Sequence, residues 1–322
     1  MPIDDPLLPL VFDRADAVAA GLSEEQVRRR ASQRWSRLRR GQFTASPLDA
    51  QGRWRAEVLA TTRLHRREIV LSHASAARAW ALPSPLGGWP PTTFTSTERP
   101  VRRAGPATVL VAGLPDDEVA VLGAVRVTSV ARTVVDCARR LPGRDALAMA
   151  DAALHRGLTT HAELTSVLAR QTGHPGAARA RRVLALADGR RESALESWSA
   201  ASFAEHGVPQ PEWQVTITDL DGVFLGRVDA LWREGVAGEA DGDLKYRLAA
   251  AERGGGTAEA LAAVAAEERR RERGLGRTGL DLVRWGAGDV LDPRRAERLA
   301  DDVDARRARA DPGRFRGRAV LL

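Results

Sequence analysis

The sequence predicts a mixed α/β, multidomain protein, on three observations. Its 322 residues leave room for two or three domains of ordinary size. An apolar fraction of 43% beside a charged fraction of 28% belongs to a chain that buries cores. Stretches of helical periodicity alternate with short apolar runs bounded by turn residues. The boundaries expected from composition and pattern are 1–50, 51–182 and 190–310.

The first segment reads as a winged helix-turn-helix. Arg14 to Ala20 is a short helical stretch, turned by Gly21-Leu22. Ser23-Glu24-Glu25-Gln26 is a capping box, in which Ser23 and Gln26 satisfy each other's orphan backbone donors. The second helix runs through Val27 to about Ser32. Trp35 to Arg39 and Gln42 to Thr44 alternate as two strands joined at Arg40-Gly41, which would form the wing. Seven arginines and two glutamates lie between Gly21 and Arg40. Arg28, Arg29 and Arg30 fall on the second helix, and Arg34, Arg37, Arg39 and Arg40 on or beside the ribbon. A helix in the major groove with a basic wing on the backbone fits this layout. A small helical cap with a solvated arginine face is the plainer alternative.

The middle region is a mixed scaffold. Ser72 to Ala81 reads as helix and Pro83 to Pro91 as a turn-rich break. Ala107 to Val111 and Ala124 to Thr128 read as strands. Three helices follow, over Ser129 to Arg140, Asp145 to Arg156 and Thr160 to Arg170, the last opened by the capping box Thr160-His161-Ala162-Glu163. Arg179 to Arg191 is a linking segment.

From Ser193 the pattern is helix, three strands, helix, strand, helix. The pieces are Ser193 to Glu205, Trp213 to Thr218, Val223 to Trp232, Val236 to Ala240, Thr257 to Arg273, Leu280 to Trp285 and Pro293 to Arg309. Asp221-Gly222 is a hairpin turn. The last dozen residues are expected to fray. Each of the second and third strands carries one carboxylate, Asp229 and Glu239. Both lie five residues from Glu234, the centre of their turn, so they are expected to oppose each other with Cβ atoms about 5 Å apart. Paired carboxylates on adjacent strands suit Mg²⁺ or Mn²⁺, and such an ion suits in-line phosphodiester displacement. A charge pair at a solvated strand edge is the plainer reading. Glu196 is a further acid, on the same helix face as Glu192. Ser193-Ala194-Leu195-Glu196 is itself a capping box, so Glu196 has a structural reading of equal weight.

Composition narrows the classes. No run of eighteen apolar residues exists, so no membrane helix is expected. Met1-Pro2-Ile3-Asp4-Asp5 lacks the pattern of a signal peptide, and a cytoplasmic protein is expected. The single cysteine, Cys137, excludes an internal disulfide and a cysteine-based zinc site. The six histidines are scattered without metal spacing. Forty-nine basic against 42 acidic residues give a formal charge of +7, which invites an anionic partner. All the basic residues but Lys245 are arginine, and Lys245 stands six residues after Glu239 beside the only tyrosine, Tyr246. Lysine is a compact point charge that arginine does not replace, so Lys245 joins the candidates for contact with a scissile phosphate. Gly274-Leu275-Gly276-Arg277-Thr278-Gly279 satisfies G-x-G-x-x-G, yet it ends a helix and precedes a strand, the reverse of a dinucleotide site.

These motifs carry a resemblance. Glu-Ser-x-x-Glu-Ser from Glu192, Arg-Val-Asp-x-x-Trp from Arg227, Gly-Glu-x-Asp-Gly-x-x-Lys-Tyr from Gly238 and Val-Arg-Trp from Val283 resemble the C-terminal domain of many actinobacterial proteins. That domain is similar to the very-short-patch-repair-like branch of the PD-(D/E)XK nuclease superfamily. The resemblance implies an α-β-β-β-α-β nuclease-like fold. It also implies metal-binding Asp229 and Glu239, Glu196 as helix acid, Lys245 as the catalytic lysine, and Mg²⁺ or Mn²⁺ as cofactor. The superfamily's Glu-x-Lys triplet reads Glu239-Ala240-Asp241 here, so the lysine role falls to Lys245. Val127-Thr128-Ser129-Val130-Ala131-Arg132-Thr133 and Asp136 resemble the winged-helix and following domain of the abortive-infection type IV antitoxin (AbiEi) family, over roughly residues 5 to 160. Two expectations result. One is a DNA-associated, metal-dependent endonuclease. The other is a non-catalytic, antitoxin-type transcriptional regulator that keeps the nuclease fold as scaffold, with DNA and a nucleotidyltransferase-like toxin or its gene as partners. A structural interaction protein without a DNA role is the third and blandest class.

Overall fold

The computed structural model describes residues 10–45, 47–65, 69–97, 107–240 and 273–321. Lys245, Tyr246 and the helix expected from Thr257, up to residue 272, lie outside the described residues. Two compact units divide the chain, residues 1–81 with 87–136, and residues 82–86 with 137–322. Among the described residues no helix is long and apolar enough to cross a membrane.

In the first unit, α1 (Arg14–Ala19) and α2 (Glu24–Gln33) precede a ribbon of β1 (Ser36–Arg39) and antiparallel β2 (Gln42–Thr44). The expected capping box is present. Ser23 Oγ accepts from the Gln26 N–H at 3.3 Å, and Gln26 Oε1 accepts from the Ser23 N–H at 2.9 Å. Gly21, with φ +93°, makes the turn that an L side chain would strain. Phe12, Trp35 and Phe43 close the small core, Phe12 meeting Trp35 edge-on at 4.7 Å. A long helix that sequence periodicity does not reveal follows, α3 (Ala50–His65). Its buried positions are Ala56, Val58, Ala60, Thr61 and Thr62, small or hydroxylated residues that carry little hydrophobic signal. The two threonine hydroxyls donate to the carbonyls of Glu57 and Val58, so they are buried without loss of hydrogen bonding.

The same unit holds a five-stranded sheet in the order β5-β4-β3-β7-β6. Its strands are β3 (Val70–Leu71), β4 (Thr93–Ser96), β5 (Thr108–Val111), β6 (Val119–Leu122) and β7 (Val125–Thr128), with α4 (His73–Ala79) after β3. The next helix, α5 (Val130–Arg140), spans the boundary after Asp136. In the first unit it buries Arg132, whose guanidinium pairs with Glu118 and, at 2.8 Å, with Asp136. All three side chains are at most 3% exposed, so truncating one would leave a buried charge uncompensated.

The second unit begins with α6 (Gly143–His155), α7 (His161–Arg170), α8 (Ala177–Leu186) and α9 (Ala194–Glu205). Its sheet has the order β11-β10-β9-β8-β12. The strands are β8 (Glu212–Thr218), β9 (Phe224–Trp232), β10 (Val236–Ala240), β11 (Asp281–Trp285) and β12 (Arg318–Leu321). Between the last two strands lie α10 (Ala287–Leu291) and α11 (Pro293–Arg309). Among the described strands of this sheet, β10 and β11 pair in parallel and the other neighbours antiparallel. One core cluster joins Phe203 on α9 and Val303 on α11 with Trp213, Trp232 and Trp285 from the sheet. A second gathers Val215, Val228, Leu231 and Ala237 with Leu275. The expectation of a frayed C-terminus is corrected. Arg318 to Leu321 pair antiparallel with Thr218 to Val215, because Phe315 packs on the second cluster and the Arg316 N–H donates to the Thr278 carbonyl at 2.7 Å.

Candidate functional site

The acids singled out in the sequence come from three elements of the second unit. Glu196 lies in the first turn of α9, where Ser193 caps the helix by accepting from the Glu196 N–H. Its carboxylate receives the Ser193 hydroxyl at 2.6 Å and the Glu192 N–H at 3.1 Å. The Ser193 cap is present but the reciprocal half of the expected capping box is not, because Glu196 accepts from the Glu192 N–H and not from the Ser193 N–H; the side chain also has a further contact. Glu196 Oε2 also accepts from Gln214 Nε2 at 2.8 Å. The same amide nitrogen donates to Asp229 Oδ1 at 3.3 Å, and Asp229 Oδ2 accepts from the Ala240 N–H at 2.8 Å. Two acceptors on one end fix the orientation of the Gln214 amide, since its oxygen would be repelled there.

Register places the third acid. Trp232, Leu231 and Ala230 of β9 pair with Val236, Ala237 and Gly238 of β10. The ladder between these strands ends at Gly238 with Ala230, one residue short of Glu239 and Asp229. Glu239 is 4% exposed, and its Oε2 accepts from Arg284 Nε at 2.8 Å, across the parallel pair Glu239 with Arg284. The described structure thus brings Glu196 and Asp229 to one amide and draws Glu239 to Arg284. Glu192, one turn before Glu196, instead forms a two-pronged surface pair with Arg227 of β9 at 2.7 and 2.9 Å. Among the described residues no group of three or more histidine, cysteine or carboxylate side chains is placed to hold a metal ion. Lys245 lies outside those residues.

Sequence reading missed Gln214 and assigned no role to Arg284. For Gln214 the available signal is a polar residue between Trp213 and Val215 in an otherwise apolar strand. What the sequence does not display is its backbone, which adopts φ +58° in mid-strand. Strand alternation breaks at this level. Trp213 and Ala230 belong to one core cluster, whereas Val215 and Val228, two residues along each strand, belong to the other. A strict period of two would keep each pair on one face.

The basic segment lies in the first unit. Arg28 and Arg29 on α2 are exposed, as are Arg34, Arg37 and Arg40 on or beside the ribbon. Arg30 and Arg39 are half-buried. Burial pulls the Arg39 guanidinium below its ordinary range, opposed by the charge of Glu57 on α3. Five of the seven arginines therefore present solvated guanidinium groups, and Arg39 is turned toward its own unit.

No family model matches the chain. Over 105 residues it is 41% identical to two uncharacterized proteins of Mycobacterium tuberculosis, one from strain CDC 1551 / Oshkosh and one from strain H37Rv. The match covers 33% of this chain and 38% of each relative, so the chain spans well under half the length of the curated relatives it matches.

Proposed function

We propose that this is a DNA-associated protein whose second unit hydrolyses a phosphodiester bond with a divalent metal ion. The observation that carries the reading is the meeting of Glu196 and Asp229 at the Gln214 amide. Asp229 and Glu239 offer carboxylate oxygen, the ligand type that suits Mg²⁺ or Mn²⁺ and not a soft metal. Asp229 and Glu239 would hold the ion. When bound, it would lower the pKa of a water nucleophile and stabilise charge on the phosphate. The Ala240 N–H fixes one oxygen of Asp229 and Gln214 the other, so that side chain is pre-oriented. Arg284 offsets the charge of Glu239 beside it. Lys245 takes the phosphate-contacting role that its motif implies. The exposed arginines of the first unit supply backbone affinity for DNA.

The test is nicking of supercoiled plasmid in Mg²⁺ or Mn²⁺. The wild type should nick and Asp229→Ala should not, with DNA affinity retained in the variant. Absence of cleavage across single-stranded, duplex and nicked substrates would defeat the enzymatic reading.

A second reading is favoured by the Arg284 guanidinium on Glu239, which gives that acid a structural partner. Here the protein is a non-catalytic regulator of antitoxin type, with an operator and a nucleotidyltransferase-like toxin as partners. Arg28→Ala with Arg37→Ala should then weaken operator binding and flatten its salt dependence by about two phosphate contacts. Unchanged affinity and slope in that double variant would remove DNA binding by this segment from both readings.

A further inference from the structure

The first unit contains a cavity at the foot of its arginine ribbon. Its volume is about 370 Å³, within the ~300–1,000 Å³ of small-ligand pockets. The walls include Arg39 of β1, Glu57 and Thr61 of α3, and the run Trp89-Pro90-Pro91 ahead of β4. A bulge accounts for Arg39. The pairing of β1 with β2 shifts register between Arg37 and Arg39, and a bulge re-aims the side chains of its strand. Leu38 packs with Ala56 and Ala60 of α3, yet its neighbour Arg39 lines a cavity shared with the same helix. Arg37 and Arg40 stay exposed on the ribbon to either side. Trp89 is a fixed wall. Pro90 restricts it to extended backbone, and the two prolines have locked φ angles. Arg78 lies 5.9 Å from the Trp89 ring and 4.2 Å over Trp54, while Gln51 Oε1 accepts from two of its N–H groups at 2.9 and 2.6 Å. A ring held in this way receives a flat ligand at a low cost in entropy.

The charged walls select the ligand. A guanidinium offers only donors and a carboxylate only acceptors. A phosphate in the cavity would be repelled by Glu57, and an apolar ligand would strip water from both charges without replacing its hydrogen bonds. A planar group with acceptors on one edge and donors on another satisfies both walls. Guanine is the base that does so in two-pronged fashion, since O6 and N7 accept from an arginine while N1–H and the N2 amine donate to a carboxylate. We infer that this cavity takes an unpaired guanine of a nucleic-acid strand, with Trp89 stacked on the base and Arg39 and Glu57 on its two edges. Arg37 and Arg40, exposed on the same ribbon, favour a strand over a free nucleotide, because they can hold the flanking phosphates. The inference rests on the DNA-associated reading of the first unit and not on the metal-dependent reading of the second.

The experiment measures binding of the full chain to end-labelled duplexes by fluorescence anisotropy, in a metal-free buffer of fixed ionic strength. The duplexes share one sequence and are either fully paired or carry one bulged guanine, adenine or thymine. The wild type should bind the guanine bulge about 10-fold more tightly than the paired duplex. Trp89→Ala should abolish that preference and Trp89→Phe should keep most of it. Glu57→Gln should narrow the preference for guanine over adenine. Arg37→Ala should weaken every duplex alike, as loss of a phosphate contact does. Affinity for the paired duplex is the control for folding of each variant. If the wild type binds all duplexes equally, the cavity is not a base site and the DNA-associated reading survives. If Trp89→Ala keeps the wild-type ratio between guanine-bulged and paired duplexes, Trp89 is structural only and the inference is overturned. If free GMP displaces the guanine-bulged duplex at concentrations near the Kd of that duplex, the ligand is a nucleotide and the assignment to a strand falls. If the wild type binds no duplex, the DNA-associated reading itself fails and takes this inference with it.

Discussion

Gly238 stands one residue before the candidate ligand Glu239, and its missing side chain is a packing requirement. A Cβ there would lie 2.4 Å from Cη2 and 2.5 Å from Cζ3 of Trp285, and 3.2 Å from the Ala230 Cβ. Trp285 cannot retreat easily. Its Nε1 donates to Ser199 Oγ at 2.7 Å, and its ring meets Phe203 edge-on at 5.4 Å. Gly238→Ala should therefore lower the unfolding free energy by about 1–3 kcal/mol, the usual cost of overpacking. Urea unfolding followed by tryptophan fluorescence would measure it, and wild-type stability would show that Trp285 is free to move. At this scale the sequence singled out Asp229, Glu239 and Glu196 through residue type and spacing. It did not display Gln214, because nothing in a glutamine announces a left-handed backbone as an Asn-Gly or Gly-Gly pair would.

Elements whose ends are held by local hydrogen bonds were legible. Ser23 with Gln26 and Thr160 with Glu163 form the expected capping boxes, since both partners lie within one turn. Of the short strands, β1, β2, β5 and β7 were legible, and β3, β4, β6 and β12 were not. The two residues of β3 and the four of β12 acquire their conformation from distant partners, Val127 and Thr95 for the first and β8 for the second. The C-terminal strand is pinned at its approach as well, since a Cβ on Gly317 would fall 2.6 Å from the Thr218 carbonyl oxygen. Removing residues 311–322 should bare the outer edge of β8, lower the thermal unfolding midpoint and promote association through the open edge. Scanning fluorimetry and size-exclusion chromatography check both effects. A truncated chain that stays monomeric with an unchanged midpoint would mean that β12 contributes no stability.

For the molecule as a whole, acid is the informative perturbation. The Thr160 N–H and then the Thr159 hydroxyl hold the Glu163 carboxyl below its ordinary value, and the Gly286 N–H does the same for Asp289, with help from Arg295. A depressed folded-state value means that the folded protein binds the proton less tightly than the unfolded chain. The associated stability is complete above the unfolded value of about 4 and disappears as pH falls through and below it. Asp151 works in the opposite sense, because burial raises its carboxyl against the pull of Arg191. Comparing wild type with Glu163→Gln isolates one contribution. The variant should be less stable at neutral pH, and the gap should close between about pH 5 and pH 3. A gap independent of pH would assign the loss to packing and not to ionisation.

What the sequence by itself determined was mostly local. Helix caps, the hairpin turn at Asp221-Gly222, the arginine-dense N-terminal segment and the pairing of β9 with β10 depend on contacts a few residues apart or on a count from one turn. The tertiary structure alone decided that α3 forms on alanine and threonine, that β12 completes a sheet, that Glu239 meets Arg284, and that one glutamine joins Glu196 to Asp229. Each of these joins residues remote in the chain or rests on burial assigned by neighbours, and such energies have no period or spacing along a polypeptide to reveal them.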